Sequence, residues 1–139
     1  MNVIGGRMKV RVSVLLALML APGIAQAADW VYVTTSTNNA DYYMDKGSVR
    51  KTSSGYPKKE ITLAWFKVDY SRDTTVSRRE SKILYHFDCL AQQMGIAHWV
   101  DYDPQGKVID STSSSYPTFR PAVPDTIGHS MLDQACFAS

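Results

Sequence analysis

Cysteine is scarce in this sequence: Cys89 and Cys136 are the two that 139 residues contain. Neither belongs to a Cys-x-x-Cys pair or stands beside a His-x-x-x-His spacing, which argues against a zinc-type site. His86, His98 and His129 are equally scattered. No two of them share the helical i, i+4 or strand i, i+2 spacing that brings paired ligands together, so no metal is expected. The serines lack a Gly-x-Ser-x-Gly elbow, and no glycine-rich loop could cradle a phosphate. Asp101-x-Asp103 with Gly106 opens like a calcium loop. Pro104 interrupts it, however, and Thr112 stands where a bidentate Glu belongs, so a hairpin turn explains these residues better. The expectation is therefore a non-enzymatic protein with no catalytic residue and no cofactor. An enzyme would need a pocket gathering His98, Asp101 or His86 with a second polar partner.

Long apolar runs are missing as well. The one that exists, Val12 to Ala21, ends at Pro22-Gly23, far short of the roughly 20 residues that cross a bilayer. Arg7, Lys9 and Arg11 precede it, or Lys9 and Arg11 if Met8 is the start, and Ala25-Gln26-Ala27 follows with small residues at −3 and −1. This is the pattern of an export signal cut after Ala27. Residues 1–27 are thus a signal peptide and 28–139 one small domain, large enough for a single core and with no membrane span after cleavage. No cysteine follows the cut to take a lipid, so the expected location is the periplasm or the cell exterior without a lipid anchor. Three of the 15 basic residues and none of the 13 acidic ones lie in the leader, so the domain carries a net charge of −1. A near-neutral domain gives no argument for nucleic acid.

In an exported chain, two cysteines are most economically read as one disulfide, with a free thiol pair or a shared metal as the alternatives. Cys89 ends the run Lys82-Ile-Leu-Tyr-His-Phe-Asp-Cys, whose residues Ile83, Tyr85, Phe87 and Cys89 alternate to one side of a strand. Cys136 falls near the end of the single helix expected in the domain. That helix starts near Asp125 or Thr126, after Pro124, and carries an apolar stripe of Ile127, Met131, Leu132, Ala135 and Cys136. At about three turns it would be marginal alone, so packing on a sheet and the disulfide must hold it.

The rest of the chain reads as strands. Trp30 to Thr35 alternates Trp30, Tyr32 and Thr34 against Val31, Val33 and Thr35, and Asp41 to Asp45 forms a second strand with Ser48 to Thr52 as its continuation or a third. Ser53 to Pro57 is a loop. Glu60 to Tyr70 is apolar on both faces, as in a central strand covered on two sides for at least part of its length. Ser71 to Ser81, with Arg72, Arg78 and Arg79, reads as a solvated connection rather than a basic binding patch. Gly95 to Tyr102 and Lys107 to Ser111 flank the Asp103-Pro-Gln-Gly106 turn, and Pro117, Pro121 and Pro124 mark an extended strap to the helix. The fold class is α+β, an antiparallel sheet of about six strands with one C-terminal helix disulfide-bonded onto one face. The eight tyrosines and three tryptophans suit binding surfaces, although a small domain needs most of them for its core and sheet faces.

These features in this order resemble the surface-adhesin protein E family of Gram-negative bacteria. The resemblance is carried by Trp30, Tyr43-x-Asp45-x-x-Ser48-Val49, Ala64-Trp-Phe-Lys-Val-Asp69, Ser81-Lys82 with Tyr85-x-Phe87-x-Cys89, Tyr102-x-x-x-Gly106-x-Val108-Ile109, and Pro124-x-Thr126 before a helix ending in Cys136. It implies a C-terminal helix bonded to the sheet, a homodimer through sheet surfaces, and adhesion to host extracellular-matrix or serum proteins such as vitronectin and laminin. The missing lipidation cysteine departs from the family's adhesin, and a soluble periplasmic envelope or small-ligand-binding protein is the alternative. Arg50, Lys51, Lys58 and Lys59 match no family motif, so no ligand-binding residue carries over.

Overall fold

The computed structural model describes residues 26–138. Most of the expected leader lies outside the described residues. Eight strands form one antiparallel sheet: β1 (Trp30–Thr35), β2 (Asp41–Asp45), β3 (Arg50–Ser54), β4 (Lys59–Asp69), β5 (Glu80–Asp88), β6 (Gln93–Tyr102), β7 (Val108–Ser113) and β8 (Arg120–Pro121), followed by helix α1 (Ile127–Ala138). The main path runs β1-β2-β4-β5-β6-β7, so the expected six-stranded antiparallel sheet is present, with β3 and β8 as short additions beside β4 and β6.

The long strand β4 explains part of this arrangement. Its C-terminal half pairs with β2, from Met44↔Phe66 to Asp41↔Asp69, and its N-terminal half with β3, from Arg50↔Leu63 to Ser54↔Lys59. A single 3-10 turn, Lys46–Ser48, steps the chain from one partner to the other. Ser48 fixes the step: its hydroxyl donates to Asp45 O at 2.7 Å and accepts from Trp65 N at 2.9 Å. Ser53 and Ser54 thereby join β3 instead of opening a loop.

Cross-strand partners share a face, so the pairings sort the side chains into two sets. On the helix face lie Met44, Ala64, Phe66 and Phe87, all fully buried, with Met131, Leu132 and Ala135 of α1 packed against them. Phe66 meets Tyr85 edge-on at 5.6 Å and Phe87 at 5.8 Å between centroids, the offset and edge arrangements that aromatic rings prefer. The alternation of Tyr85 and Phe87 toward one side is thus the centre of the core. Cys89 is bonded to Cys136, with Cα atoms 5.9 Å apart, and the buried Thr62 hydroxyl lies 3.5 Å from the Cys89 sulfur, which can act only as acceptor.

Two details differ from the sequence pattern, and a third decides between the two expected helix caps. In β1 a bulge at Val33 shifts the register between Tyr32↔Tyr43 and Thr34↔Tyr42. Thr35 therefore joins Tyr32 on the open face, where Tyr32 Oη and Thr35 Oγ1 lie 2.8 Å apart and Thr35 donates to Asp41 at 2.6 Å. The proline-rich strap is not merely extended: Arg120–Pro121 pairs with Met94 and Gln93, and Ala122 N donates to Gln92 O at 2.9 Å. Prolines are tolerated there because the strap is a sheet edge. Finally, α1 is capped by Thr126, which accepts from His129 N at 3.3 Å, while Asp125 takes a left-handed φ of 63°.

Candidate functional site: the uncovered sheet surfaces

The helix covers only part of its face. Beyond it, around Trp99 and Ile96, two adjoining cavities of about 250 and 390 Å³ lie against the sheet. Trp99 is there because the β5–β6 pairing sets it opposite Ile83, after a bulge that pairs Tyr85 with Ile96 and Leu84 with His98. Asp101 pairs across from Ser81 and Asp110, and accepts a short hydrogen bond from the Ser81 hydroxyl. Arg78 reaches back from the loop between β4 and β5. Its guanidinium lies 4.7 Å from the Tyr70 ring centroid and 3.4 Å from Asp101 Oδ2, a cation–π contact joined to an ion pair. Its Nε is buried without a hydrogen-bond partner. Tyr42 and Tyr85 line this end of the core, and burial pushes both phenols above their ordinary range, so they stay protonated.

The open face is unusual in a different way. A solvated face of an antiparallel sheet is ordinarily polar, yet this one carries Trp30, Tyr32, Tyr43, Trp65, Leu84 and Tyr102. Lys67 sits 4.9 Å from the Trp30 and Tyr43 ring centroids, and Lys82 lies 5.3 Å from that of Tyr102. Tyr32 is 58% exposed at the margin of this group. Asp41, gripped by Arg72 at 2.7 Å, is held below the usual carboxylate range first by that hydrogen bond and then by Thr35. At the opposite end Lys59 binds the buried Asp88 at 2.7 Å and lowers its pKa, while approaching the Phe119 ring at 5.5 Å.

The residues that an enzyme would need do not converge. Asp101 is on the helix face, whereas His98 and His86 are on the open face. His98 packs edge-on against Trp65 at 5.6 Å and bonds Ser113, and His86 pairs with Gly95 and has its pKa lowered by burial and by Arg50. His129 is on α1 beside Asp133. Among the described residues no cluster of three or more His, Cys, Asp or Glu could hold a metal, and no helix is long and apolar enough to cross a membrane. Asp103 works as a turn residue, accepting from Gln105 N and Lys107 N at 2.9 Å.

Sequence reasoning missed Arg78, which the pattern assigned to a solvated connection, and gave no special place to Trp99. The available signal was Trp99 and Asp101 at i, i+2 on one strand, hence on one face.

Fold and surface together define an α+β sheet-and-helix domain with an aromatic–lysine surface on one face of the sheet and two cavities beside the helix on the other. The family model for surface-adhesin protein E matches residues 30–137, and the chain belongs to that family. No curated protein and no solved structure matches the chain.

Proposed function

We propose that the protein is an exported, non-enzymatic binding protein that acts as an adhesin, using the open sheet face to hold host extracellular-matrix or serum proteins. The observation that carries this reading is the concentration of Trp30, Tyr32, Tyr43, Trp65 and Tyr102 with Lys67 and Lys82 on the open face, away from the end where Ile61 and Leu63 are buried and Pro117 and Thr118 pass over Gly95. Aromatic side chains with polar tips are enriched at protein–protein contacts, and large exposed apolar patches mark interaction sites. Membership of the surface-adhesin protein E family supports the same direction. The domain acts after removal of residues 1–27, in the periplasm or at the cell exterior, and without a lipid anchor; a homodimer through the sheet would use the same aromatic surface.

A second reading, a periplasmic protein that binds a small ligand, is favoured by the two cavities beside Trp99. Two experiments separate the readings. Purified protein passed over immobilised vitronectin and laminin at physiological salt is expected to bind saturably, and the absence of saturable binding to either would overturn the adhesin reading. Protease added to intact expressing cells is expected to digest the displayed protein; full protection would favour the periplasmic role.

A further inference from the structure

The cavities beside Trp99 carry a chemical signature narrower than a general binding surface. The smaller is walled by Trp99, Ile83 and Tyr70 and holds Arg78, Asp101 and Asp110; the larger shares Trp99 and Ile96 and adds Thr112, Thr118 and Arg120. An apolar occupant would strip water from the partly exposed Arg78 guanidinium and the exposed Asp110 carboxylate, at a desolvation cost. An anion would meet Asp101 and Asp110, with Arg78 already paired to Asp101. A cation would meet Arg78 and Arg120. What satisfies every group is a neutral molecule whose polar atoms both donate and accept. Hydroxyls do this, and two neighbouring ones can accept from the exposed N–H groups of the Arg78 guanidinium while donating to the exposed Asp110 carboxylate. A ring with an apolar C–H face would lie against the half-buried Trp99 indole.

We propose that the groove beside Trp99 is a saccharide-binding site for a neutral oligosaccharide, with Trp99 as the stacking platform and Arg78, Asp101 and Asp110 as partners of adjacent hydroxyls. The proposal rests on the reading of the domain as a binding protein and places a second ligand class on the face opposite the aromatic–lysine surface. The continuity of the two cavities across Trp99 and Ile96 favours more than one sugar unit, the threonines of the larger cavity meeting the second ring.

The test is an NMR titration of the purified isotope-labelled protein with cellotriose, maltotriose and lacto-N-tetraose, with sialyllactose, a sulfated heparin disaccharide and adenosine as charged and planar comparisons. The expected result is a saturable shift of the Trp99 indole with at least one neutral saccharide, weakened about tenfold or more by Asp110→Asn. Asp110 is exposed, so this substitution leaves the fold intact. Arg78→Gln is expected to weaken binding in the same way, and the unchanged spectrum elsewhere shows whether it folds. Absence of saturation with all three neutral probes would overturn the proposal. So would shifts confined to the charged probes or adenosine, or binding indifferent to Asp110→Asn. Vitronectin and laminin binding keeps the two readings apart: weakened saccharide binding with retained host-protein binding in Asp110→Asn supports a separate saccharide site, host-protein binding without saccharide binding in the unsubstituted protein removes the saccharide site alone, and absence of both in the unsubstituted protein removes both.

Discussion

Removing the Cys89–Cys136 disulfide has an effect whose size follows from the loop it closes. Cys89 and Cys136 close a loop spanning 47 positions, and loop-closure entropy alone puts the effect of such a bond at about 4 kcal/mol. For a domain of this size each kcal/mol moves the melting temperature by about 4 °C, so Cys89→Ala/Cys136→Ala is expected to melt about 15 °C lower. The helix stays docked in that variant below its midpoint. Met131 and Leu132 are 2% and 3% exposed, and burying each contributes about 1.5–3 kcal/mol independently of the bond. Urea unfolding followed by tryptophan fluorescence measures both consequences: a lower midpoint, and a steeper slope because the uncrosslinked denatured chain exposes more surface. The single variants should behave like the double one under reducing conditions. Equal midpoints and slopes with and without the bond would refute the reasoning, since they would mean that the denatured chain is no freer without its cross-link.

Other perturbations address the packing of the core and the pH dependence of stability. Phe66→Ala removes a fully buried ring that touches Tyr85 and Phe87 and is expected to cost about 3–5 kcal/mol in urea unfolding. Gly95→Ala would place its Cβ 2.8 Å from Thr118 O and 3.0 Å from Pro117 Cβ, so the strap must shift; a loss of about 1–3 kcal/mol is expected, with faster amide exchange at Ala122. Lowered carboxylate pKa values at Asp41 and Asp88 contribute stability above their unfolded value near 3.9, lost as pH falls through the folded values. His86, whose pKa is lowered by burial and Arg50, favours the neutral form, so its contribution is present above about 6.5 and declines below it. Melting temperature measured from pH 8 to 3 is therefore expected to fall in two stages, and His86→Asn should remove the first.

Strand alternation made the core legible because β5 obeys it without interruption: Tyr85 and Phe87 point where period two puts them. The cysteine positions made the helix contact legible, since a cross-link declares proximity that no local pattern can. Irregularities broke the same logic. The bulge at Val33 moves Thr35 to the other face, a change that depends on how β1 pairs with β2 and leaves no local mark. Likewise the cavities depend on a loop arginine, Arg78, meeting Tyr70 and Asp101 from two other segments. Its charge reads as surface until Tyr70 supplies a ring to lie on and Asp101 a counter-ion. The open face was half legible, in the two apolar faces of Glu60 to Tyr70; which residues remain uncovered is set by the side of the sheet that α1 occupies.

The proposed role of the open aromatic–lysine face is to hold a partner protein. The most direct test compares saturable binding to immobilised laminin and vitronectin for the unsubstituted protein and for Tyr32→Ala, a substitution at an exposed ring that touches Tyr43 edge-on at 5.9 Å. Interface tyrosines that act as anchors contribute about 2 kcal/mol or more, so binding by the unsubstituted protein and a loss of about thirtyfold in the variant are predicted. Equal affinity in the two proteins, with the variant's melting temperature unchanged, would contradict it.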